Sequence, residues 1–557
     1  MRHILITFLF ISNISEAQIY IAKAENGADQ AIAIQAAFNL KDTRTVLINS
    51  GDININGIVT IPAGKTLKFE NGYRLTGHGT INGGKIEADY QSQLFDTSLT
   101  VNLQSVNEYF SVKWFGAKGN NTDDYPAIQK TINTCIRSNI RTVYFPVGRY
   151  RISRPLVIRG TATAGEDNNK NDRRSFCTVE LLGQSSFWDS NLGSEIYTTF
   201  NNAFAIGIQN GKGCKIRKLR ISGLFTPPVF NDTHKFYSMS FESFTDDKCR
   251  DSRYSPYAGI VIDPFTNLET SPMPADGGYP GMQEYYGKSG RLSTQSGSTG
   301  VELEELNIQG FVVGICSSPN GLTRNAEITI INKVQFSNCK LCVSGGQDQE
   351  KENTISNIYC WGGTHTIFAT GLYGSPRMAG NWHIDHVNIA GGIVRFIYND
   401  QHGYFPTFIS HVFAESLGSF GTLNSELACE VSDCIFDFAY QSLAGEQTLL
   451  TANGENVVFR SCNFRYYGEK TPLLMQGNCV FEHCYFSGPV IKNKSGSFDD
   501  IFSVKDVFGT TIVLMAMPLL LTFLAVLFIF YYRRQIFWKI YYSDKPQTRM
   551  VKRNWLS

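Results

Sequence analysis

A six-residue pattern recurs from Ile216 onward: apolar–x–x–apolar–x–apolar, with Cys at the second apolar position in three copies. From Leu303 onward the copies follow one another at steps of 22 to 29 residues. Each copy ends in the alternation of apolar and polar residues that is typical of a β-strand. A unit this short cannot bury its own apolar side chains, so the units must stack and share one core. The copies begin at Ile216, Leu303, Ile331, Ile355, Ile384, Ile409, Val431, Phe459 and Phe481.

The architecture that this repeat predicts is all-β: a single-stranded parallel β-helix, in which each unit is one coil of a solenoid. A helical repeat would need apolar residues at i, i+3, i+4 and i+7 over at least ten positions, and the units do not show that spacing. A β-propeller is the alternative, but its units are about 40 to 50 residues long and contain hairpin turns. No such period is present in the sequence.

The N-terminal third contains a second, longer similarity between residues 26–61 and residues 120–158. Each copy begins with a short amphipathic segment that predicts a helix, and extended segments follow it. In the second copy we expect Thr122 to cap the helix, with Asp123 and Asp124 in its first turn, where the helix dipole favours negative charge.

Residues 114–153 read WFGAKGNNTDDYPAIQKTIN, then, after a short gap, TVYFPVGRYRIS. This segment resembles the opening signature of the pectate lyase superfamily, and specifically the rhamnogalacturonase and epimerase-like pectate lyase domain also found in phage tailspikes. The resemblance implies a right-handed parallel β-helix over roughly residues 110–490, with a short N-terminal capping helix to which Asp123 and Asp124 belong. Residues 61–84 resemble a partial extra coil of the same type.

Apolar segments at the two ends predict an exported, membrane-anchored protein. Residues 1–17 have the charge and small-residue pattern of a signal peptide. The segment 508–532 contains 21 successive uncharged residues from Ile512 to Tyr532, enough for one transmembrane helix. The basic tail 533–557 is expected in the cytoplasm by the positive-inside rule. Between these ends we expect a partial β-helix coil over 18–110 and the main β-helix over 111–500, interrupted by a long insertion at 222–302.

Charge excludes one class of partner. The seven basic residues and one acidic residue of the tail give it a charge of +6, so the overall charge of +1 leaves −5 for the rest. A mildly acidic body does not suit nucleic acid, because neutralising phosphates requires clustered Lys and Arg.

Thirteen cysteines leave at least one thiol without an intramolecular disulfide partner. Three of the cysteines, Cys434, Cys462 and Cys484, share one motif position and are expected to stack inside the solenoid.

Four candidate catalytic residues occupy the two x positions of neighbouring coils. In a parallel stack, equivalent positions on successive coils lie about 4.8 Å apart, so Asp385, His386, His411 and Asp433 are predicted to cluster. A carboxylate beside imidazoles is suited to general acid–base chemistry on a glycosidic bond or on the C5 proton of a uronate. The alternative is that these side chains form a solvated polar face at the bends of the solenoid.

Candidate substrate-binding residues lie near the same coils or in the insertion. Tyr359, Trp361, His365 and Trp382 are expected to stack on sugar rings, unless they pack inside the core. Asp263, at the end of an apolar run inside the insertion, is a further candidate, with a turn-capping role as the alternative.

Two functions follow from this pattern and from the resemblance. The first is a polysaccharide lyase or glycoside hydrolase acting on acidic glycans, and the second is a non-catalytic glycan-binding protein such as an adhesin or tailspike body. The Asn-x-Asp, Asp-Asp and Gly-His-Gly set of polygalacturonase-type hydrolases is missing, and no equivalent of the acidic cluster of calcium-dependent pectate lyases is found. We predict no metal ligands and leave a calcium requirement open. Both a monomer and a homotrimer fit the sequence.

Overall fold

A computed structural model defines the fold for most of the chain before residue 493. The chain divides into two units, Met1–Ser497 and Phe498–Ser557. The residues described all belong to the first unit: 18–22, 28–103, 107–138, 140–159, 177–186, 192–201, 203–209, 211–226, 257–264, 298–317, 327–345, 352–370, 381–400, 406–424, 428–438, 450–466, 473–487 and 490–492. The predicted signal peptide, transmembrane segment and basic tail lie outside these residues. Within them, no helix has the length and apolar character needed to cross a bilayer.

The N-terminal section consists of short parallel strands and one helix, α1 (Ala31–Asn39). The strands form three small sheets in the orders β1-β2-β5-β8, β3-β6 and β4-β7-β9, and the strand pairings are parallel. The strands are β1 (Gln18–Ala22), β2 (Thr43–Ile48), β3 (Ile53–Asn54), β4 (Ile58–Thr60), β5 (Thr66–Phe69), β6 (Leu75–Thr76), β7 (Thr80–Asn82), β8 (Lys85–Glu87) and β9 (Thr100–Asn102).

The main section begins with β10 (Tyr109–Ser111), a 3-10 helix (Val112–Phe115), β11 (Asn120–Asp123) and helix α2 (Tyr125–Ser138). The following strands, up to the long insertion, are β12 (Thr142–Phe145), β13 (Gly148–Ile152), β14 (Leu156–Arg159), β15 (Glu180–Gly183), β16 (Ser194–Thr198), β17 (Ile206–Gln209), β18 (Lys215–Arg217) and β19 (Arg220–Ser222). The strands from the insertion to the end of the described chain are β20 (Ala258–Ile262), β21 (Glu302–Gln309), β22 (Val313–Ser317), β23 (Ile330–Ser337), β24 (Leu341–Gly345), β25 (Asn353–Trp361), β26 (Thr366–Thr370), β27 (Trp382–Asp400), β28 (Thr407–Asn424), β29 (Cys429–Ser432), β30 (Ile435–Phe438), β31 (Leu450–Arg460), β32 (Asn463–Tyr466), β33 (Leu473–Glu482), β34 (Tyr485–Phe486) and β35 (Val490–Lys492).

These strands form three stacked faces, because each strand pairs in parallel with the strand one coil later. The first face runs through β12, β15 and β18, the second through β13, β16 and β19, and the third through β14, β17 and β20. Strands β21, β23 and β25 each continue through both the first and the second face. Parallel pairing between successive coils confirms the predicted β-helix and excludes a propeller, whose blades are antiparallel.

A single left-handed residue joins the first face to the second on each repeated coil. This residue is the second x position of the sequence motif, and its φ lies between 51° and 55°. One residue in the left-handed region turns the chain sharply without a loop, so neighbouring coils stay in register across the bend. We call this column the bend column; it contains Lys218, Glu305, Lys333, Asn357, His386, His411, Asp433, Ser461 and His483.

The core lies inside the coils and is filled by the apolar positions of the motif. Phe436 and Phe464 stack at 5.7 Å between ring centroids, and Phe464 and Phe486 at 5.0 Å. The predicted cysteine stack is confirmed, because Cys434, Cys462 and Cys484 are all buried.

Each of these three thiols also contacts a backbone carbonyl. Cys462 Sγ lies 3.3 Å from Val431 O, and Cys484 Sγ lies 3.3 Å from Phe459 O. Cys434 Sγ lies 3.0 Å from the carbonyl of its own bend, Ser432 O.

Helix α2 packs against β9 and β14 and buries Ile128, Ile132 and Cys135 on one side. The helix begins at Tyr125, so the predicted N-cap Thr122 is wrong: Thr122 lies in β11, and Asp124 precedes the helix. Asp124 accepts hydrogen bonds from the backbone N–H groups of Lys118 and Gly119 at 2.6 and 2.9 Å. Thr122 cannot cap the helix because its backbone belongs to β11, which pairs with β13.

Asp123 binds Ser153 on the next coil. Its carboxylate oxygens accept from the Ser153 backbone N–H at 3.1 Å and from the Ser153 hydroxyl at 2.7 Å. Both aspartates of the capping element therefore hold backbone in place, as the family resemblance implies.

Glycine substitutions in the bend column should raise the stability of the protein instead of lowering it. Replacing Ser461 (φ 54°) with Gly should stabilise the protein by about 1 kcal/mol, because a side chain disfavours the left-handed conformation. Replacing it with Val should destabilise the protein by at least as much, since a β-branched residue tolerates this conformation poorly. Urea unfolding midpoints would measure both effects.

The matched control is Ser432→Gly, at the end of strand β29. Glycine within a strand should lower stability by about 0.5–1 kcal/mol. Equal shifts for Ser432→Gly and Ser461→Gly would contradict the assignment of the bend.

Candidate functional site

The predicted cluster forms around one carboxylate at the border of the first and second faces. Asp385 is the last residue of the first face in its coil, and it pairs in register with Ser410 of the next coil. His386 and His411 follow these two residues and occupy adjacent positions of the bend column. The left-handed backbone at both histidines places their side chains side by side outside the solenoid.

Asp385 contacts both rings. Its Oδ1 lies 2.8 Å from His411 Nδ1, and its Oδ2 lies 2.5 Å from His386 Nδ1. The Ser410 hydroxyl donates a third hydrogen bond to Oδ1 at 2.7 Å. The two imidazoles stack, with centroids 4.8 Å apart and an interplanar angle of 26°. We call Asp385, His386 and His411 the Asp–His–His cluster.

The electrostatics of the cluster keep Asp385 ionised. Partial burial raises the pKa of Asp385, but the hydrogen bonds from Ser410, His411 and His386 outweigh this effect and lower the pKa to about 2. An ionised carboxylate can only accept hydrogen bonds. Each Nδ1 that contacts it must therefore carry the proton, which leaves Nε2 of a neutral ring free to accept one.

Both rings are accessible from solvent. The His386 and His411 side chains are 60% and 54% exposed, so a substrate can approach either Nε2. An imidazole whose Nδ1–H is held by a carboxylate is the arrangement that general bases use in enzymes.

The same three side chains could share a cation. Their ligand atoms lie within 4.8 Å of one another, and no other such group of His, Cys, Asp and Glu is found in the described part of the chain. The hydrogen bonds that the two rings donate to Asp385 already account for this close approach. The geometry therefore does not by itself require a metal ion.

Asp433 lies in the bend column one coil beyond His411, since Ser410 pairs with Ser432. Its side chain is exposed, but it is not part of the Asp–His–His cluster. Two coil steps place Asp433 roughly 10 Å from Asp385. Three of the four predicted catalytic residues therefore meet, and the fourth lies one coil beyond His411.

The predicted substrate-binding residues divide into two groups. Tyr359 and Trp361 are 38% and 42% exposed on the outer side of the second face, one coil before Asn388 and Ala390. His365, Trp382 and Asp263 are at most 3% exposed. A buried side chain cannot stack on a sugar at the surface, so we remove these three from the site.

Each of these three side chains has contacts inside the fold instead. Trp382 begins strand β27 on the inner side and lines a small internal cavity. His365 Nδ1 lies 2.8 Å from the Thr366 hydroxyl. Asp263 accepts hydrogen bonds from the backbone N–H and the hydroxyl of Ser298, at 2.7 and 2.6 Å. These bonds join Asp263 to a residue 35 positions later in the insertion, so they do not test the turn-capping role considered as its alternative.

Two features near the cluster were missed. Ser410 donates a hydrogen bond to Asp385. Its position, the first x of the coil that follows Asp385, could have indicated this contact from the sequence. His383 and Phe408 stack at 5.1 Å between ring centroids on the first face, and Phe408 is 38% exposed. Aromatic side chains therefore lie on both sides of the Asp–His–His cluster.

The lowered pKa of Asp385 predicts a pH-dependent contribution to stability. A carboxyl group whose pKa falls from 3.8 in the unfolded chain to about 2 in the fold stabilises the protein above the unfolded value, and the effect is lost as pH falls through the folded value. The stability difference between wild type and Asp385→Asn should therefore shrink between about pH 5 and about pH 2. Urea unfolding midpoints measured across this range would test it.

Ser410→Ala, which removes one of the three donors, should show the same trend with a smaller amplitude. A difference between wild type and Asp385→Asn that stays constant with pH would contradict the hydrogen-bonding scheme.

A family model supports the fold over part of the chain. Residues 109–236 match the family model described as rhamnogalacturonase A/epimerase, pectate lyase-like. No curated protein sequence matches this chain.

Similar solved structures include ORF18 of Geobacillus virus E2, with 13% identity, a TM-score of 0.35, and coverage of 68% of this chain and 62% of that chain. The A-module of mannuronan C-5 epimerase AlgE4 from Azotobacter vinelandii shows 12% identity and a TM-score of 0.34, covering 70% of this chain and 100% of that one. A DFA-IIIase from Arthrobacter chlorophenolicus A6 shows 10% identity and a TM-score of 0.37, covering 70% and 86%.

The chain thus spans less than two thirds of the length of the first of these structures. TM-scores this low carry no argument about activity. The family match over residues 109–236 indicates a pectate-lyase-like fold there, and the stacked parallel coils show that the described part of the chain from Tyr109 onward is a parallel β-helix.

Proposed function

We propose that this protein acts on a polysaccharide at its outer surface, with the Asp–His–His cluster as the acid–base group. The observation that carries the proposal is the single ionised carboxylate that orients two exposed, stacked imidazoles. The exposed aromatic residues Phe408 on the first face and Tyr359 on the second offer apolar surfaces for sugar rings on either side.

The chemistry that suits this cluster is β-elimination from a uronate. One neutral imidazole removes the C5 proton through its Nε2, and the electron pair left behind forms a C4–C5 double bond. The bond between C4 and the glycosidic oxygen breaks at the same time, and that oxygen takes a proton from Nε2–H of the second, protonated ring. The step therefore uses one neutral and one protonated ring, and each can keep its Nδ1–H bond to Asp385 throughout.

A lyase is favoured over a hydrolase by the arrangement of carboxylates. Glycoside hydrolysis uses two carboxyl groups about 5–5.5 Å or 6.5–9.5 Å apart. Asp385 is occupied by three hydrogen-bond donors, and Asp433 is not part of the cluster. Imidazole-based proton transfer does not need a second carboxylate.

The second candidate function is glycan binding without turnover. The observation that favours it is the place of both histidines in the bend column, because His, Asn and Asp are enriched in left-handed conformations for steric reasons alone. In that case Asp385 stabilises the bend, and Tyr359, Trp361 and Phe408 provide the sugar contacts of an adhesin or tailspike-like surface.

The setting we propose is outside the cytoplasm. The predicted signal peptide 1–17 would export the β-helix, and the segment 508–532 would anchor it as a single-pass protein with the basic tail inside. A monomer and a homotrimer both fit this topology. A calcium requirement would show as loss of activity on chelation and recovery with added Ca²⁺.

The test is an assay of the full chain on a panel of uronate and neutral polysaccharides, following both unsaturated uronate absorbance and new reducing ends. We expect absorbance to rise on a uronate polymer. His411→Gln and Asp385→Asn should each lower the rate by about 10²- to 10⁴-fold, because positioned acid–base groups contribute that much.

The matched control is His483→Gln, an exposed histidine in the same column, three coils beyond His411. This variant should keep the wild-type rate. Binding without turnover in wild type would support the second function, whereas neither binding nor turnover on the panel would contradict both.

A further inference from the structure

The Asp–His–His cluster brings two kinds of metal ligand together. Asp385 supplies a carboxylate, and His386 and His411 supply one imidazole nitrogen each, with these ligand atoms all within 4.8 Å of one another. On both rings the nitrogen that faces the carboxylate is Nδ1. Two imidazoles and a carboxylate suit a divalent transition-metal ion such as Zn²⁺, whereas Ca²⁺ takes oxygen ligands.

We propose that this cluster binds one divalent transition-metal ion, and that the bound ion switches off the acid–base chemistry proposed above. The binding step depends only on the described residues, whereas the loss of activity rests on the proposed function. The ion acts as an inhibitor and takes no part in the reaction.

The spacing of the ligand atoms is the first argument. The oxygens of Asp385 lie 2.8 Å from His411 Nδ1 and 2.5 Å from His386 Nδ1. Ligand atoms at about 2.0–2.2 Å from one tetrahedral Zn²⁺ ion lie roughly 3.3 Å apart. The three ligand atoms therefore need to move by no more than roughly 1–2 Å to share an ion, which takes the place of the two bonded protons.

The freedom of the two rings is the second argument. The side chains of His386 and His411 are 60% and 54% exposed, so an ion can reach them from solvent. The torsion that turns a histidine ring about its Cβ–Cγ bond is broad, and an exposed ring can adjust along it. The backbone of both residues is fixed by the bend, and Ser410 holds Asp385 through a hydrogen bond of 2.7 Å. Rotation of the rings alone can therefore bring the two nitrogens toward one ion.

The charge around the cluster is the third argument. Ser356 and Ser410 pair with Asp385 on the two neighbouring coils. Asn357 and Asp433 occupy the bend column on either side of the two histidines. None of these four neighbours carries a positive charge, and the carboxylate of Asp433 adds a negative one. A divalent cation is therefore attracted to this part of the surface.

Metal binding would reverse the tautomer of both rings. In the structure each Nδ1 donates its proton to Asp385, and Nε2 of a neutral ring is the acceptor. A metal ion needs the lone pair of Nδ1, so Nδ1 gives up its proton and Nε2 takes one from solvent. Two neutral rings release no net proton, and a pair with one protonated ring releases one. With a proton on Nε2, neither ring can remove a proton from a substrate.

The experiment measures metal binding by the full chain, in detergent and without a histidine tag. Calorimetric titration with Zn²⁺ and the visible absorption of Co²⁺ should both report an ion that excess Ca²⁺ does not displace. Loss of a group that only orients a ligand weakens metal binding by about 10- to 100-fold. We expect an effect of that size for Ser410→Ala, and at least about 100-fold for His411→Gln, which removes a ligand.

The matched control is His483→Gln. His483 is an exposed histidine of the same column, but the carboxylate next to it, on Glu482, pairs with Arg460 at 2.9 Å. This variant should bind Zn²⁺ as tightly as wild type. Thermal unfolding of each variant would show that the fold is intact.

Binding and turnover together separate the two proposals. Zn²⁺ should inhibit turnover on a uronate polymer, and a chelator should restore it. Zn²⁺ binding that is lost in His411→Gln, without turnover on any glycan, would support the metal site and overturn the catalytic function together with the switch. Zn²⁺ bound at the cluster with turnover unchanged would overturn the switch.

The metal site itself fails on binding data alone. Absence of Zn²⁺ binding in wild type, equal affinity in wild type and His411→Gln, or equal losses in His411→Gln and His483→Gln would overturn it, whatever the turnover assay shows.

Discussion

Parallel, in-register pairing between successive coils is the interaction on which the rest of this structure depends. Residues two dozen positions apart in sequence become neighbours because each strand hydrogen-bonds to its equivalent one coil later. The Asp–His–His cluster exists only through this pairing, since Asp385 and His411 belong to different coils. The same pairing creates the outward columns of the second face.

The one-residue bend preserves that register. A longer turn could vary in length between coils and would shift one strand against the next, which moves every side chain to the opposite face. A left-handed residue costs roughly 1–2 kcal/mol when it carries a side chain, yet the bend column contains no glycine at its nine motif positions. The column therefore keeps side chains on the outer edge of the solenoid at an energetic cost, and three of them are histidines.

The fold could be predicted from the sequence because its repeat is read directly from apolar periodicity. The cluster could be predicted in part for the same reason, since Asp385, His386 and His411 occupy equivalent positions of the repeat. The sequence could not show whether the side chains of Trp382 and His365 point into the core or outward. An aromatic residue at the start of a strand fits either the core or a sugar site. Asp263 lies outside the repeat, so the periodicity could not show whether its side chain points inward or outward.

The prediction that Thr122 caps helix α2 was wrong for a different reason. Capping preference favours Thr122 locally, but Asn120–Asp123 is recruited as strand β11 to pair with β13, and this tertiary pairing outweighs the local preference.

The carboxylate that Asp385 shares between two coils has a consequence for dynamics. Because one ring comes from its own coil and the other from the next, the distance between Asp385 and His411 measures the separation of those coils. Any local opening of the solenoid at this level would break the bond to His411 first and leave that to His386 intact. The proposed acid–base chemistry therefore requires that these two coils stay hydrogen-bonded to each other.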